Sequence, residues 1–142
     1  MQILGKDKVI YSFNQKNPCE YSVTDGETFW VETDDCYSGQ IQDEKTLRTD
    51  IDISIMDCAV GPIEVKDAKK GDILKIDILA IETADHGVMV TKKGMGILGE
   101  QVTDPDTKII PVKDGFAHIT PEIRLPLTPM MGVLGVYPRE GE

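Results

Sequence analysis

Asp72-Ile73-Leu74-Lys75-Ile76-Asp77-Ile78-Leu79-Ala80-Ile81, DILKIDILAI, is the stretch on which the fold class turns. Leu74, Ile76, Ile78 and Ala80 share one face at a period of two, against Lys75 and Asp77 on the other. Leu79 and Ile81 then make the second face apolar too. The spacing predicts a strand that starts half-exposed and ends buried on both sides.

The neighbouring runs read the same way. FWVET (29–33) is short and rich in aromatic and β-branched residues, and IDISI (51–55) sets Ile51, Ile53 and Ile55 opposite Asp52 and Ser54. Asp25-Gly26 and Lys70-Gly71-Asp72 are turn signals ahead of strands, and Lys113-Asp114-Gly115 between IIPV and FAHI predicts a tight hairpin. TDGETFWVE and KKGDILKID share a layout of glycine turn, acid and strand, read as the ordinary grammar of a turn entering a strand rather than a repeat. No segment carries a helical stripe, although QDEKTLR (42–48) could give a turn or two of helix. Prolines 105, 111, 121, 126, 129 and 138 are expected to confine the second half to edges, loops and short strands. The expectation is a mainly β fold, a β-sandwich or barrel-like domain with little helix, as a single domain over 1–142.

Size and charge narrow the function classes. A chain of 142 residues is one domain, or one piece of a larger protein, and 40% apolar with 28% charged content fits a globular chain. The net charge of −10 argues against nucleic acid or anionic lipid as partner, because both need clustered Lys and Arg. No apolar run is long enough to span a membrane, and MQILGKDKVIYSF lacks the order of a signal peptide. The odd set Cys19, Cys36 and Cys58 fits free thiols in a reducing cytoplasm, the expected location.

TDDCYSGQ (33–40) places Asp34 and Asp35 beside the Cys36 thiol where a strand-like run stops. A carboxylate there could hold a divalent metal or take a proton from water, and a thiolate would suit zinc. On spacing alone a turn is favoured: Asp caps backbone N–H groups and Cys fills core space. DCAVG (57–61) repeats the D-C-x-x-G spelling and is read as accidental. His86, between Asp85 and Gly87 on a loop entering a strand, could bind metal or move protons, although a polar loop histidine is the default. His118 shares a face with Phe116 and reads as a packed or interfacial ring. KKGMGILGE (92–100) matches neither phosphate-loop pattern, so its glycines are expected to serve positive φ and close backbone approach. PMMGVLGVYP (129–138) reads as a buried strand, or as a wall that meets a partner domain. No Gly-x-Ser-x-Gly elbow is present.

Several stretches together resemble the acetamidase/formamidase family. They are DCYSGQ (35–40), VGPIEVKDAKKGDILKIDILAI (60–81), HGVMV (86–90), GMGILGE (94–100) and LPLTPMMGVLGVYP (125–138), in family order and spacing. DCAVGPIEVKDAKKGD (57–72) answers the hallmark N-P-A-T-G-P-I-x-V-x-G-A-x-P-G-D, and TPMMGVLGVYP (128–138) answers R-P-M-x-G-x-x-G-V-A-P. Asp57 and Cys58 stand for the usual Asn-Pro, Thr128 for Arg and Tyr137 for Ala.

The resemblance implies a cytoplasmic, mainly β amidohydrolase that turns formamide, acetamide or another short linear amide into carboxylate and ammonia. It implies a divalent metal, zinc first, that activates water. Asp35 is then the expected catalytic acid and a metal ligand, Gly39 and Gln40 the expected substrate contacts, His86 a second expected metal ligand, and Cys36 a neighbour of the site. Family members are longer, with a second half rich in Gly, Asp, His and Glu, so a C-terminal partner chain is expected along with the amide substrate. The alternative is a non-catalytic, stand-alone β domain that binds a small ligand or forms a homo-oligomer, whose apolar PMMGVLGV stretch would be covered by self-association.

Overall fold

The computed structural model describes residues 1–138, and the described chain divides into two compact units. The first is built from Met1–Ser38, Ile53–Asp77 and, of the described residues, 131–138, and the second from Gly39–Asp52 and Ile78–Met130. The last four residues of the expected 1–142 domain lie outside the described residues. The chain is mainly β, as the turn-and-strand rhythm predicts. Its helical content among the described residues is two 3-10 turns, Ile53–Ile55 and Gly99–Gln101. No helix among them is long and apolar enough to cross a membrane.

The first unit holds three two-stranded ladders. β1 (Gln2–Leu4) pairs in parallel with β4 (Phe29–Val31), β2 (Val9–Ile10) antiparallel with β5 (Ala59–Val60), and β3 (Tyr21–Val23) in parallel with β6 (Ile63–Val65). Period-two alternation decides what is buried. Leu4 and Val23 face inward at 0% and 4% exposure, whereas Ile3 is 62% exposed. On the outer face Ser22 Oγ donates to Glu64 Oε2 across the β3–β6 pair at 3.3 Å. Ahead of β4, Gly26 takes φ +74° and Glu27 accepts from the N–H and hydroxyl of Thr24, which closes the expected Asp25-Gly26 turn.

The second unit is organised by one four-stranded sheet in the order β10-β9-β8-β7. Its strands are β7 (His86–Thr91), β8 (Asp106–Lys113), β9 (Phe116–His118) and β10 (Arg124–Pro126). Asp114 and Gly115 join β8 to β9 with φ of +52° and +77°, the left-handed pair that a two-residue hairpin needs. Pro111 lies within β8 opposite His86, yet β9 joins β8 only at Val112 and Lys113. At Pro111 the sheet is therefore locally an edge on its other side, where a missing N–H is tolerated. Ile110 and Thr107 on β8 and Ile41 form the buried centre of this unit. The Thr107 hydroxyl donates to the Thr46 carbonyl at 2.8 Å.

Three local expectations differ. IDISI forms a 3-10 turn over Ile53–Ile55 with Ile53 69% exposed, because no ladder partner lies alongside it. DILKIDILAI takes no place in any sheet, and Ile73 is 95% exposed. PMMGVLGVYP is also outside the sheets and bare, with Met130 at 73% and Val136 at 66%, so it is not a buried strand. The 42–48 segment makes turns rather than helix, tied by Asp43 Oδ1, which accepts from the N–H groups of Lys45 and Thr46. The glycine-rich loop behaves as its composition predicts. Gly94 and Gly96 have positive φ, and a Cβ on Gly99 would sit 2.7 Å from the Gly94 carbonyl carbon.

Candidate functional site

Beyond β4 the chain turns through Asp35–Ser38. Asp35 Oδ1 accepts from the Tyr37 N–H at 3.1 Å, and the Asp35 carbonyl accepts from the Ser38 N–H at 2.9 Å. This is an Asx-type turn, and it places Ser38 at φ +53°. The favoured reading of the stretch as a turn is thus correct locally, and the turn also presents an exposed Asp35 carboxylate.

A second segment of the same unit closes over this turn. The Asp57 N–H donates to the Cys36 carbonyl at 2.9 Å. The Ser38 hydroxyl faces both the Ile55 carbonyl and Cys58 Sγ, the latter at 3.6 Å, and its one proton serves one of them at a time. Asp57 is itself left-handed at φ +54°. The two D-C-x-x-G stretches, read as an accidental echo, are neighbours in space. Asp57, Cys58 and Ser38 are the residues that sequence reasoning passes over, and the repeated spelling is the signal that points to them. Two non-glycine residues held left-handed in facing turns are the kind of backbone strain that gathers at functional sites.

The charges around the turn are already sorted. Lys6 Nζ lies 2.5 Å from Asp34 Oδ1, and the Asp34 carboxylate holds the Lys6 ammonium above its usual pKa. The Cys36 thiol is pushed above the usual thiol range, first by partial desolvation and then by the Asp35 and Asp57 carboxylates. That direction is the opposite of an activated cysteine's. All three cysteines are free.

Gly39 and Gln40 open the second unit. Gly39 takes φ +67°, and its carbonyl accepts from Gln42 Nε2 at 2.7 Å. The Gln40 side chain bonds the Asp52 main chain twice: Nε2 donates to the carbonyl at 3.1 Å, and Oε1 accepts from the N–H at 2.9 Å. These bonds brace the ends of the 40–52 loop. His86 begins β7 rather than preceding it; it is exposed, with Nδ1 2.7 Å from Asp85 Oδ1. That ring holds the Asp85 carboxyl below the usual carboxylate range. His118 is half-buried on β9, and its Nε2 is buried without a partner among the described residues.

Asp35 and His86, the two expected metal ligands, belong to different units. Among the described residues no group of three or more His, Cys, Asp or Glu is arranged to hold a metal ion. The described residues by themselves therefore do not fit the implied zinc, which takes about four ligands.

Mainly β ladders and a carboxylate turn locked by the hallmark segment define the class to which the protein falls. The chain belongs to the Acetamidase/Formamidase family, whose pattern it matches over residues 7–141. Its fold is that of solved relatives. The crystal structure of an acetamidase from Bacillus halodurans is 38% identical with a TM-score of 0.91, over 96% of this chain and 46% of that one. The crystal structure of a recombinant predicted acetamidase/formamidase from the thermophile Thermoanaerobacter tengcongensis is 41% identical with a TM-score of 0.92, over 99% of this chain and 46% of that one. A protein of Schizosaccharomyces pombe provisionally named a formamidase is 26% identical over 132 residues, covering 85% of this chain and 32% of its own length. The chain thus spans between 32% and 46% of the length of these relatives.

Proposed function

We propose that this chain forms the N-terminal portion of an acetamidase/formamidase-type amidohydrolase that cleaves short linear amides to carboxylate and ammonia. The observation that carries the reading is the exposed Asp35 carboxylate, held in a turn that the family's hallmark segment locks from the other side. In the reaction the water oxygen bonds the amide carbonyl carbon, the C–N bond breaks, and the leaving nitrogen gains a proton. The raised pKa of Cys36 disfavours a thiolate nucleophile and supports water as the attacking group. Asp35 orients that water and takes its proton. Gly39 and Gln40 contact the amide, and backbone N–H groups of the glycine turns steady the developing oxyanion.

A divalent metal, zinc by family resemblance, is part of this proposal; Asp35 is the candidate donor in the first unit, and His86 is a separate candidate in the second. The remaining donors would come from the portion of the family fold that this chain does not span. The rival reading, a non-catalytic β module that binds a small ligand or self-associates, draws on the bare apolar side chains such as Leu134 at 61% exposure.

The test is ammonia release from formamide and acetamide with zinc supplied. It is run on the chain alone and on the chain co-expressed with the unmatched portion of the Thermoanaerobacter relative, each beside Asp35→Asn. Ammonia from either preparation, lost in Asp35→Asn, is the expected result. No ammonia from both preparations sinks the proposal and leaves the binding module.

A further inference from the structure

We infer that an open cleft in the first unit binds a free amino acid, taking its ammonium and carboxylate groups at once. The inference rests on the cleft alone and goes beyond the amidohydrolase reading.

The cleft has a volume of about 470 Å³, within the usual range of small-molecule sites. Its walls come from residues 7–12, from the loop that carries Asn17 and Glu20, and from Gly61-Pro62, all within the first unit. Main-chain bonds tie these walls together. The Gly61 N–H donates to the Lys8 carbonyl at 3.0 Å, and the Glu20 N–H donates to the Pro62 carbonyl at 3.1 Å. Asn17 is fixed from two sides: its Nδ2 donates to the Ser12 carbonyl at 2.7 Å, and its carbonyl accepts from the Tyr137 hydroxyl at 2.6 Å. A ligand therefore meets walls that are already set, which lowers the ordering cost of binding.

Charge selects the ligand. Lys8 Nζ stands 3.8 Å from Glu20 Oε2, inside ion-pair range but too far for a hydrogen bond. Each charged head thus keeps hydrogen-bonding capacity that the other does not fill. Asp7 adds a second carboxylate to the lining, with Oδ1 3.3 Å from the Tyr21 hydroxyl. An anion alone would face the Asp7 and Glu20 carboxylates, and a cation alone would face the Lys8 ammonium. An amino acid carries both charges on one carbon. Its carboxylate accepts from Lys8 while its ammonium donates to Glu20, which closes a ring of four alternating charges. Each head then gains a charge-assisted hydrogen bond that the 3.8 Å pair lacks. Val9, Pro18 and Pro62 make part of the lining apolar, which suits a short aliphatic side chain.

The experiment is an NMR titration of the chain, with L-alanine as the probe and its two charged halves, propionate and ethylamine, as controls. L-Alanine should shift the amides around Lys8, Glu20 and Gly61 saturably, with a Kd of about 1 mM or tighter. Each half alone should bind at least about tenfold more weakly, because it leaves one charge of the cleft unanswered. Lys8→Met and Glu20→Gln lie at exposed positions outside the ladders. Each should weaken L-alanine binding at least about tenfold while the β1–β4 amides keep their shifts. Propionate or ethylamine binding as tightly as L-alanine overturns the inference and reduces the cleft to a simple charge contact. An absence of saturable shifts up to about 10 mM overturns it too, as do shifts that gather at Asp35–Ser38 instead. Unchanged binding in both variants is equally fatal. The comparison of L-alanine with its halves needs no variant, so it decides the matter should a substitution unfold the chain. The readout is binding, so its outcome is separate from that of the ammonia assay.

Discussion

Asp35 and Asp57 lie 22 residues apart in sequence, yet both carboxylates act on the Cys36 thiol. The sign of their effect is simple: each negative charge disfavours the thiolate, so removing one should lower the thiol pKa. Asp57→Asn keeps a residue type that tolerates φ +54° and keeps the N–H that bonds the Cys36 carbonyl. The pH midpoint of Cys36 alkylation, followed by mass spectrometry, should therefore move down in this variant; an unchanged midpoint would mean that the Asp57 charge does not act on the thiol. Thr107 is a second informative residue, buried at 3% exposure with its hydroxyl donating to the Thr46 carbonyl at 2.8 Å. Thr107→Val should cost about 0.5–1.5 kcal/mol in urea unfolding, the range for the net loss of one hydrogen bond. Of the candidate site, the Asp35 turn was legible in the sequence because a D-C turn after a strand is a local pattern. Asp57 was not, because its approach to Cys36 is set by how the chain returns to the first unit at Ile53. Only the D-C-x-x-G echo hinted at it.

At the scale of elements, local chemistry was readable wherever a ladder partner lies close in sequence. The Asp114-Gly115 turn fixed its hairpin because both residues must be left-handed, and only short polar or glycine residues take that conformation at low cost. Gly115→Ala should lose about 1–2 kcal/mol in urea unfolding, although nothing lies within 4 Å of the added Cβ, because the strain is in the backbone. The 42–46 turn carries a pH dependence of known sign. The N–H groups of Lys45 and Thr46 hold the Asp43 carboxyl below its ordinary pKa. The stabilisation is thus present above the ordinary carboxylate pKa and is lost as pH falls through the lower folded value. Amide resonances of Lys45 and Thr46 should shift together at acid pH, with a midpoint below that of a free aspartate; a midpoint at or above it would contradict the assigned bonds. IDISI and DILKIDILAI misled for one reason: period two reports the faces a strand would have, not whether a partner is available to hydrogen-bond it. A local 3-10 turn took the first, and the second remains without a ladder.

For the molecule as a whole, the buried apolar side chains among the described residues are Leu4, Val23, Ile41 and Ile110. That is a thin core beside an apolar content of 40%, and the bare remainder agrees with a chain that spans 46% of its solved relatives. The family was legible from ordered stretches spread along the chain, since a family pattern needs no ladder to be seen. Among the described residues no group of three or more His, Cys, Asp or Glu is arranged to hold a metal ion. The central claim is that water, governed by Asp35, attacks the amide while Cys36 remains a protonated neighbour. The most direct measurement is the rate of ammonia release from formamide by the co-expressed assembly carrying Cys36→Ala, beside the same assembly carrying Asp35→Asn. The account predicts that Cys36→Ala stays within about tenfold of the unaltered chain, while Asp35→Asn falls by about a hundredfold or more, the usual share of a general base. An active Asp35→Asn beside an inactive Cys36→Ala would contradict it and make the thiol the nucleophile.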